Sequence, residues 1–281
     1  IFMRKLCWYK ARGLFVYFQP LVVKNKNKVL PLTGRVKVYI PKRYYPEQLG
    51  WYLNKIPSHT AYSLDVENTS KFFQIVTDPD DADIALVRIN SPERGYVKYN
   101  GYDPNRVSDT DNGYLPISLQ YLPYEAKLAR KVSIAGDRRD GQVLNRSYFG
   151  KSIDTINQSD LEQVRAVRNR MGNKPVILSI DTSNPFVISE IEPYVDAILL
   201  DFGVDSQVIY SLITGASEPS GLLPFQMPKN MDTVETQNED TPFDMMTFMD
   251  EEGNSYDFGY GLNFSGRITD WRTTKYTKDV Y

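Results

Sequence analysis

Four short apolar runs, separated by stretches with helical periodicity, constrain this chain more than any other feature. Arg35–Ile40 (RVKVYI) alternates, is rich in Val, Tyr and Ile, and stops at Pro41, as a strand does. Asp83–Ile89 (DIALVRI), Val176–Ile180 after Lys174-Pro175, and Asp196–Phe202 (DAILLDF) are nearly unbroken apolar segments. Segments of that kind suit strands covered on both faces, as in parallel sheets. Between them, Leu161, Val164, Val167 and Met171 recur at helical spacing, with Ser159 as the expected cap and Gly172 as the stop. Asn184-Pro185 opens a shorter helix through Val187, Ile188 and Ile191 that closes before Pro193. Val204–Ile213 predicts another, ending at Thr214-Gly215. Strands and helices in alternation make βαβ units with right-handed crossovers, so the expected fold is α/β, a three-layer sandwich.

Two stretches break the alternation. Ser91–Leu115 is long, polar and rich in Gly, Asp, Asn and Tyr, and loops of that length in a compact domain are functional or disordered. From Pro224 onward, with Met227-Pro228, Thr241-Pro242 and a Gly-rich end, an extended tail wrapping the domain is expected.

Several function classes fall away. With 281 residues, 41% hydrophobic and 24% charged, the chain suits one large α/β domain or two small ones. No apolar run approaches the roughly 20 residues of a membrane helix. Lys and Arg number 33 against 35 Asp and Glu, so the basic excess expected of a nucleic-acid binder is missing. Cys7 is alone and His59 is the one histidine. That excludes a Cys/His zinc site, a disulfide framework, and a Ser-His-Asp triad away from His59. No metal and no cofactor are expected. A flavodoxin-like or nucleotide-binding reading lacks a phosphate cradle, since no G-x-G-x-x-G follows a strand and no P-loop is present. Arg4 and Lys5 precede Leu6-Cys7-Trp8-Tyr9-Lys10 in place of an apolar stretch, so no signal peptide is expected. The 20 Tyr and three Trp offer rings that stack on sugars or pack loops and interfaces.

Three motifs carry a resemblance. Gly215–Pro228 reads GASEPSGLLPFQMP, Asn254–Leu262 reads NSYDFGYGL, and Val22–Leu32 reads VVKNKNKVLPL. In this order, across about 240 residues, they resemble the C-terminal α/β-sandwich domain of family 3 glycoside hydrolases, of the beta-glucosidase type. Their glycines and prolines read as tight turns and fixed chain directions, which identify the family without being catalysts. The resemblance implies a mostly parallel sheet of about six strands that follows a (β/α)8-type barrel. Residues 1–33 are then a linker remnant, and 34–281 the sandwich with its wrapping tail.

The resemblance also implies retaining release of a terminal β-linked sugar, with an oligosaccharide or β-glucoside as substrate. A retaining mechanism takes two carboxylates about 5 Å apart. In the family the nucleophile is an Asp of the barrel, and the acid/base is commonly a Glu on a sandwich loop. Gly13-Leu14-Phe15 resembles the family's barrel end, and Lys24-Asn25 follows about ten residues later. The nucleophile is therefore expected to be absent from this chain, and to come from a partner barrel if the chain is active. A periplasmic or secreted location is implied as well.

Candidate site residues follow from position. Glu93, in SPERGY after the DIALVRI run, is the first carboxylate where ligands gather in open α/β sheets. It reads as the acid/base or as a solvated loop carboxylate, with Asp109 and Asp111 as rivals. Arg94 beside it would lower its pKa if the two paired. Arg94, Tyr96, Tyr99, Asp111 and Arg146 are candidate sugar contacts, since Tyr stacks and Arg bonds bidentately. Packing of the long loop explains the Tyr pair equally well, and Arg146 suits a loop salt bridge. The acidic run Asp250-Glu251-Glu252 lacks ordered calcium-ligand spacing and reads as a solvated turn, while His59 reads as a surface loop residue. The other functional reading is a non-catalytic carbohydrate-binding or structural module.

Overall fold

The structure, a computed structural model, describes residues 20–49, 54–94, 107–108, 113–132, 137–139, 142–153, 155–238, 241 and 243–275. Chain order runs β1 (Leu21–Asn25), β2 (Lys37–Tyr39), α1 (Val66–Ser70), β3 (Gln74–Val76) and β4 (Ile84–Asn90). It continues through α2 (Gln158–Met171), β5 (Val176–Asp181), β6 (Ala197–Asp201), α3 (Ser206–Ile213), α4 (Met231–Thr236), β7 (Leu262–Asn263) and β8 (Gly266–Arg267). The eight strands form one sheet in the order β8-β7-β1-β6-β5-β4-β2-β3.

This is the expected α/β sandwich, with a larger sheet than the six strands anticipated. The pairs β3–β2, β2–β4, β4–β5 and β5–β6 are parallel. The pairs β6–β1, β1–β7 and β7–β8 are antiparallel. All four apolar runs are parallel strands of this sheet. Their continuity has the anticipated cause: Val176, Ile177 and Leu178 in β5, and Ala197–Leu200 in β6, are fully buried. Each such Val, Leu or Ile contributes about 1.5–3 kcal/mol by leaving water.

The surplus strands come from segments read otherwise. β1 lies in the stretch assigned to the linker, and its Leu21, Val22 and Val23 are buried in the core. The tail does more than wrap, because β7 and β8 extend the sheet edge and α4 interrupts it.

Helix α2 buries Leu161, Val164, Val167 and Met171 as its periodicity predicts, and Gly172 ends it at φ 57°. Its cap is Asn157 and not Ser159, and the Asn157 side chain makes no cap hydrogen bond. Helix α3 begins after Asp205, whose carboxylate accepts from the Gln207 N–H. The helix expected over 184–191 is reduced to the 3₁₀ turns Ile188–Glu190 and Glu192–Tyr194. Pro193 denies a longer helix an N–H and disfavours helical backbone at the residue before it.

Candidate functional site

The carboxyl ends of β4, β5 and β6 lie side by side, which is where open parallel sheets bind ligands. β4 ends at Asn90, and Ser91-Pro92 leads to Glu93, which is half-buried. Glu93 is held at three points. Its N–H donates to Asn157 Oδ1 at 2.8 Å. Its carbonyl accepts from the Ile156 N–H at 2.8 Å. Its Oε1 accepts from Asn90 Nδ2 at 2.7 Å. Among the described residues nothing else hydrogen-bonds its carboxylate, so Oε2 remains available to a ligand.

Asn90 belongs to a buried relay. Its Oδ1 accepts from Arg43 Nη1 at 3.0 Å, and Arg43 grips Asp160 bidentately, Nε and Nη2 each at 2.7 Å. Asp160 also accepts from Asn157 Nδ2 at 2.8 Å and is 1% exposed. Burial alone would lower the Arg43 pKa, but hydrogen bonding and charge contact with Asp160 carry it above its ordinary value. The hairpin of Lys42–Tyr45 and His59–Tyr62 presents Arg43, and the first turn of α2 presents Asp160. A hairpin, a helix and a strand end thus converge behind one carboxylate.

Tyr121 closes the inner side. Its hydroxyl donates to the Asn90 carbonyl at 2.7 Å, and full burial pushes its pKa well up. Its backbone N–H donates to Glu190 at 2.6 Å, and that of Leu122 does so at 3.2 Å. Burial pushes the Glu190 carboxyl up despite those donors. The glutamate of the shortened 184–191 segment therefore anchors the Tyr121–Leu122 loop to the site.

Arg94 does not pair with Glu93. Its Nη1 donates to the Leu115 carbonyl at 3.1 Å, and burial lowers its pKa. The Arg146 guanidinium lies 4.9 Å from the Tyr114 ring centroid. Both arginines thus meet at Tyr114-Leu115. Tyr96, Tyr99, Asp109 and Asp111 lie outside the described residues. No cluster of three or more metal-ligating side chains occurs among the described residues. The Asp250 carboxylate accepts from the Glu252 and Asn254 N–H groups, which makes that run a hydrogen-bonded turn. His59 is exposed, in a strand and not a loop, and stacks on Tyr45 at 4.9 Å.

The relay residues Arg43, Asn90, Tyr121, Asn157 and Asp160 escaped the sequence reading. One signal was visible: Asp160 puts a charge on the helix stripe of Val164, Val167 and Met171. Arg43 offered none, because its partner lies 117 residues away.

The three motifs converge elsewhere. Leu223 N–H donates to the Tyr260 carbonyl at 2.7 Å, Gly259 N–H to Leu223 at 2.8 Å, and Met227 N–H to Tyr256 at 2.9 Å. The Tyr260 hydroxyl donates to the Val23 carbonyl at 3.0 Å, so all three meet beside β1. A Cβ on Gly261 would stand 2.3 Å from the Gly221 carbonyl oxygen, and one on Gly215 would stand 2.8 Å from Pro31 Cβ.

Comparison with known proteins matches residues 21–264 to the glycosyl hydrolase family 3 C-terminal domain. Beta-glucosidase C of Emericella nidulans is 38% identical over 90 residues, 32% of this chain and 14% of that protein. Probable beta-glucosidase C of Aspergillus flavus is 26% identical over 217 residues, covering 76% and 26%. The periplasmic beta-glucosidase/beta-xylosidase of Dickeya chrysanthemi is 23% identical over 105 residues, covering 37% and 15%. The chain therefore spans about a quarter or less of the length of these curated relatives. Among solved structures, a beta-glucosidase from Chaetomella raphigera aligns at 18% identity and TM-score 0.45, over 87% of this chain and 34% of that one.

Proposed function

Because the chain belongs to the family of glycosyl hydrolase family 3 C-terminal domains, we propose that it supplies the acid/base side of a beta-glucosidase-type active site. The observation that carries this reading is the Glu93 carboxylate, fixed through Asn90 at the carboxyl end of β4 with one oxygen left for a ligand.

In a retaining reaction, Glu93 protonates the departing glycosidic oxygen while a carboxylate nucleophile attacks the anomeric carbon. It then takes a proton from the water that hydrolyses the glycosyl intermediate. The nucleophile comes from a barrel domain outside these 281 residues, on the same polypeptide or on a partner chain. Arg94, Arg146 and Tyr114 flank the sugar, with Tyr96, Tyr99 and Asp111 as further contacts. The named location of the Dickeya chrysanthemi relative supports a periplasmic or secreted enzyme.

The test joins the chain to a family barrel and assays aryl and alkyl β-glucosides. Glu93→Gln should cut alkyl-glucoside turnover about 10²–10⁴-fold, and the first step on dinitrophenyl glucoside far less, because that leaving group departs without a proton. Equal losses on both substrates would remove Glu93 from the acid role. Sugar release by the 281-residue chain alone would refute the external nucleophile.

A further inference from the structure

A second recess, of about 400 Å³, opens at the other end of the parallel array, between α2 and the carboxyl ends of β2 and β3. Tyr39, Lys42, Tyr62, Thr77, Gln163 and Arg170 line it. We propose that it is a binding site for a sugar bearing one anionic group, a uronate or a sugar phosphate. This proposal does not depend on any role for Glu93.

Its first support is charge. The Lys42 ammonium stands 5.4 Å from the Tyr62 ring centroid and the Arg170 guanidinium 5.9 Å from that of Tyr39. Neither cation has a carboxylate partner among the described residues. No carboxylate lines the recess, so two positive charges face it without compensation.

The second support is an unmet acceptor. Gln163 Nε2 donates to the Lys42 carbonyl at 2.7 Å. That carbonyl takes only a donor, so the amide cannot flip. Gln163 Oε1 is left buried without a partner, a condition that costs about 1–3 kcal/mol unless a donor arrives. Neither an inorganic anion nor an apolar ligand brings that donor together with a ring. A hydroxylated ring supplies it, and Thr77 adds a hydroxyl to the lining of the recess.

The third support is shape. Tyr62 is 42% exposed and presents a face to a ring's C–H side. About 400 Å³ lies near the lower end of small-molecule pockets, which suits one sugar ring better than a nucleotide.

Titration calorimetry on the 281-residue chain, with D-glucuronate, glucose 6-phosphate and glucose in parallel, tests the proposal. At least one anionic sugar should bind saturably, at least tenfold more tightly than glucose, and the preferred one identifies the charged group. Lys42→Gln with Arg170→Gln, both surface changes verified by unaltered thermal unfolding, should weaken that binding at least tenfold. Gln163→Leu should weaken the sugar several-fold more than it weakens inorganic phosphate. Failure of both anionic sugars to bind would overturn the proposal, as would glucose matching them or the double variant binding like the parent. Loss of binding in Glu93→Gln would also overturn it, by placing the ligand at the end of β4. Failure of Glu93 as acid/base would leave this result untouched.

Discussion

The edge beside β1 and the end of β4 are built on opposite principles. At the edge, three sequence motifs meet through backbone hydrogen bonds and glycine contacts too close for a Cβ. At the end of β4, five side chains from a hairpin, a strand, a loop and a helix converge on Glu93. The first region is assembled from three unbroken runs of sequence and is held mainly by the backbone, with the Tyr260 hydroxyl as its one cited side-chain bond. The second is scattered and depends on chemistry entirely. Residues that reveal kinship are therefore those where the backbone leaves no choice, and they lie apart from the residues proposed to act on a substrate.

That contrast breaks most sharply at Asp160. Asp160→Ala leaves the Arg43 guanidinium buried without its carboxylate and should cost about 3–5 kcal/mol in urea unfolding. Arg43→Met with Asp160→Leu should recover most of that stability, since apolar pairs replace buried ion pairs well. It should not recover glucosidase turnover in the barrel-completed enzyme. Recovery of both would reduce the relay to a packing device.

The edge should answer oppositely. Gly261→Ala forces a methyl onto the Gly221 carbonyl and should cost about 1–3 kcal/mol. Hydrogen exchange at residues 90–94 should stay as in the parent. Faster exchange there would show that the two regions are coupled.

A smaller change separates position from stability at the site itself. Asn90→Ala removes a donor to Glu93 and an acceptor for Arg43, and should cost about 0.5–1.5 kcal/mol. Turnover of the completed enzyme should fall at least tenfold with little change in KM. A loss confined to stability would deny Asn90 a positioning role.

The smallest effect lies at the half-buried Asp270. Its hydrogen bond with Arg272 holds the carboxyl below its usual range. A depressed folded pKa adds stability that is present above the ordinary carboxylate value and lost as pH falls through the folded one. Asp270→Asn should therefore be slightly less stable than the parent near neutrality, and the two curves should merge in acid.

Much of the fold was legible because its signals are local. DIALVRI and DAILLDF announce doubly covered strands, and the 161–171 stripe announces α2. Errors arose where a distant partner redirected a local rule. Asn157 occupies the cap of α2, yet its amide serves the Glu93 loop. The 184–191 helix stops short at Pro193, while Glu190 binds the Tyr121 loop. Leu262-Asn263 carries no strand periodicity in two residues, and it pairs because β1 offers an open edge.

For the proposed site, the place of Glu93 after an apolar run was readable, but not what holds it. By itself the sequence determined the strand–helix alternation, the family and the position of one carboxylate. Each rests on neighbours along the chain, where spacing alone sets geometry. Only the tertiary structure decided that β1 and the tail complete the sheet, that Arg94 turns from Glu93 to Leu115, and that Arg43 and Asp160 stand behind it. Hydrogen bonds and ion pairs of that kind act over about 3 Å in space and leave no periodic trace along the chain.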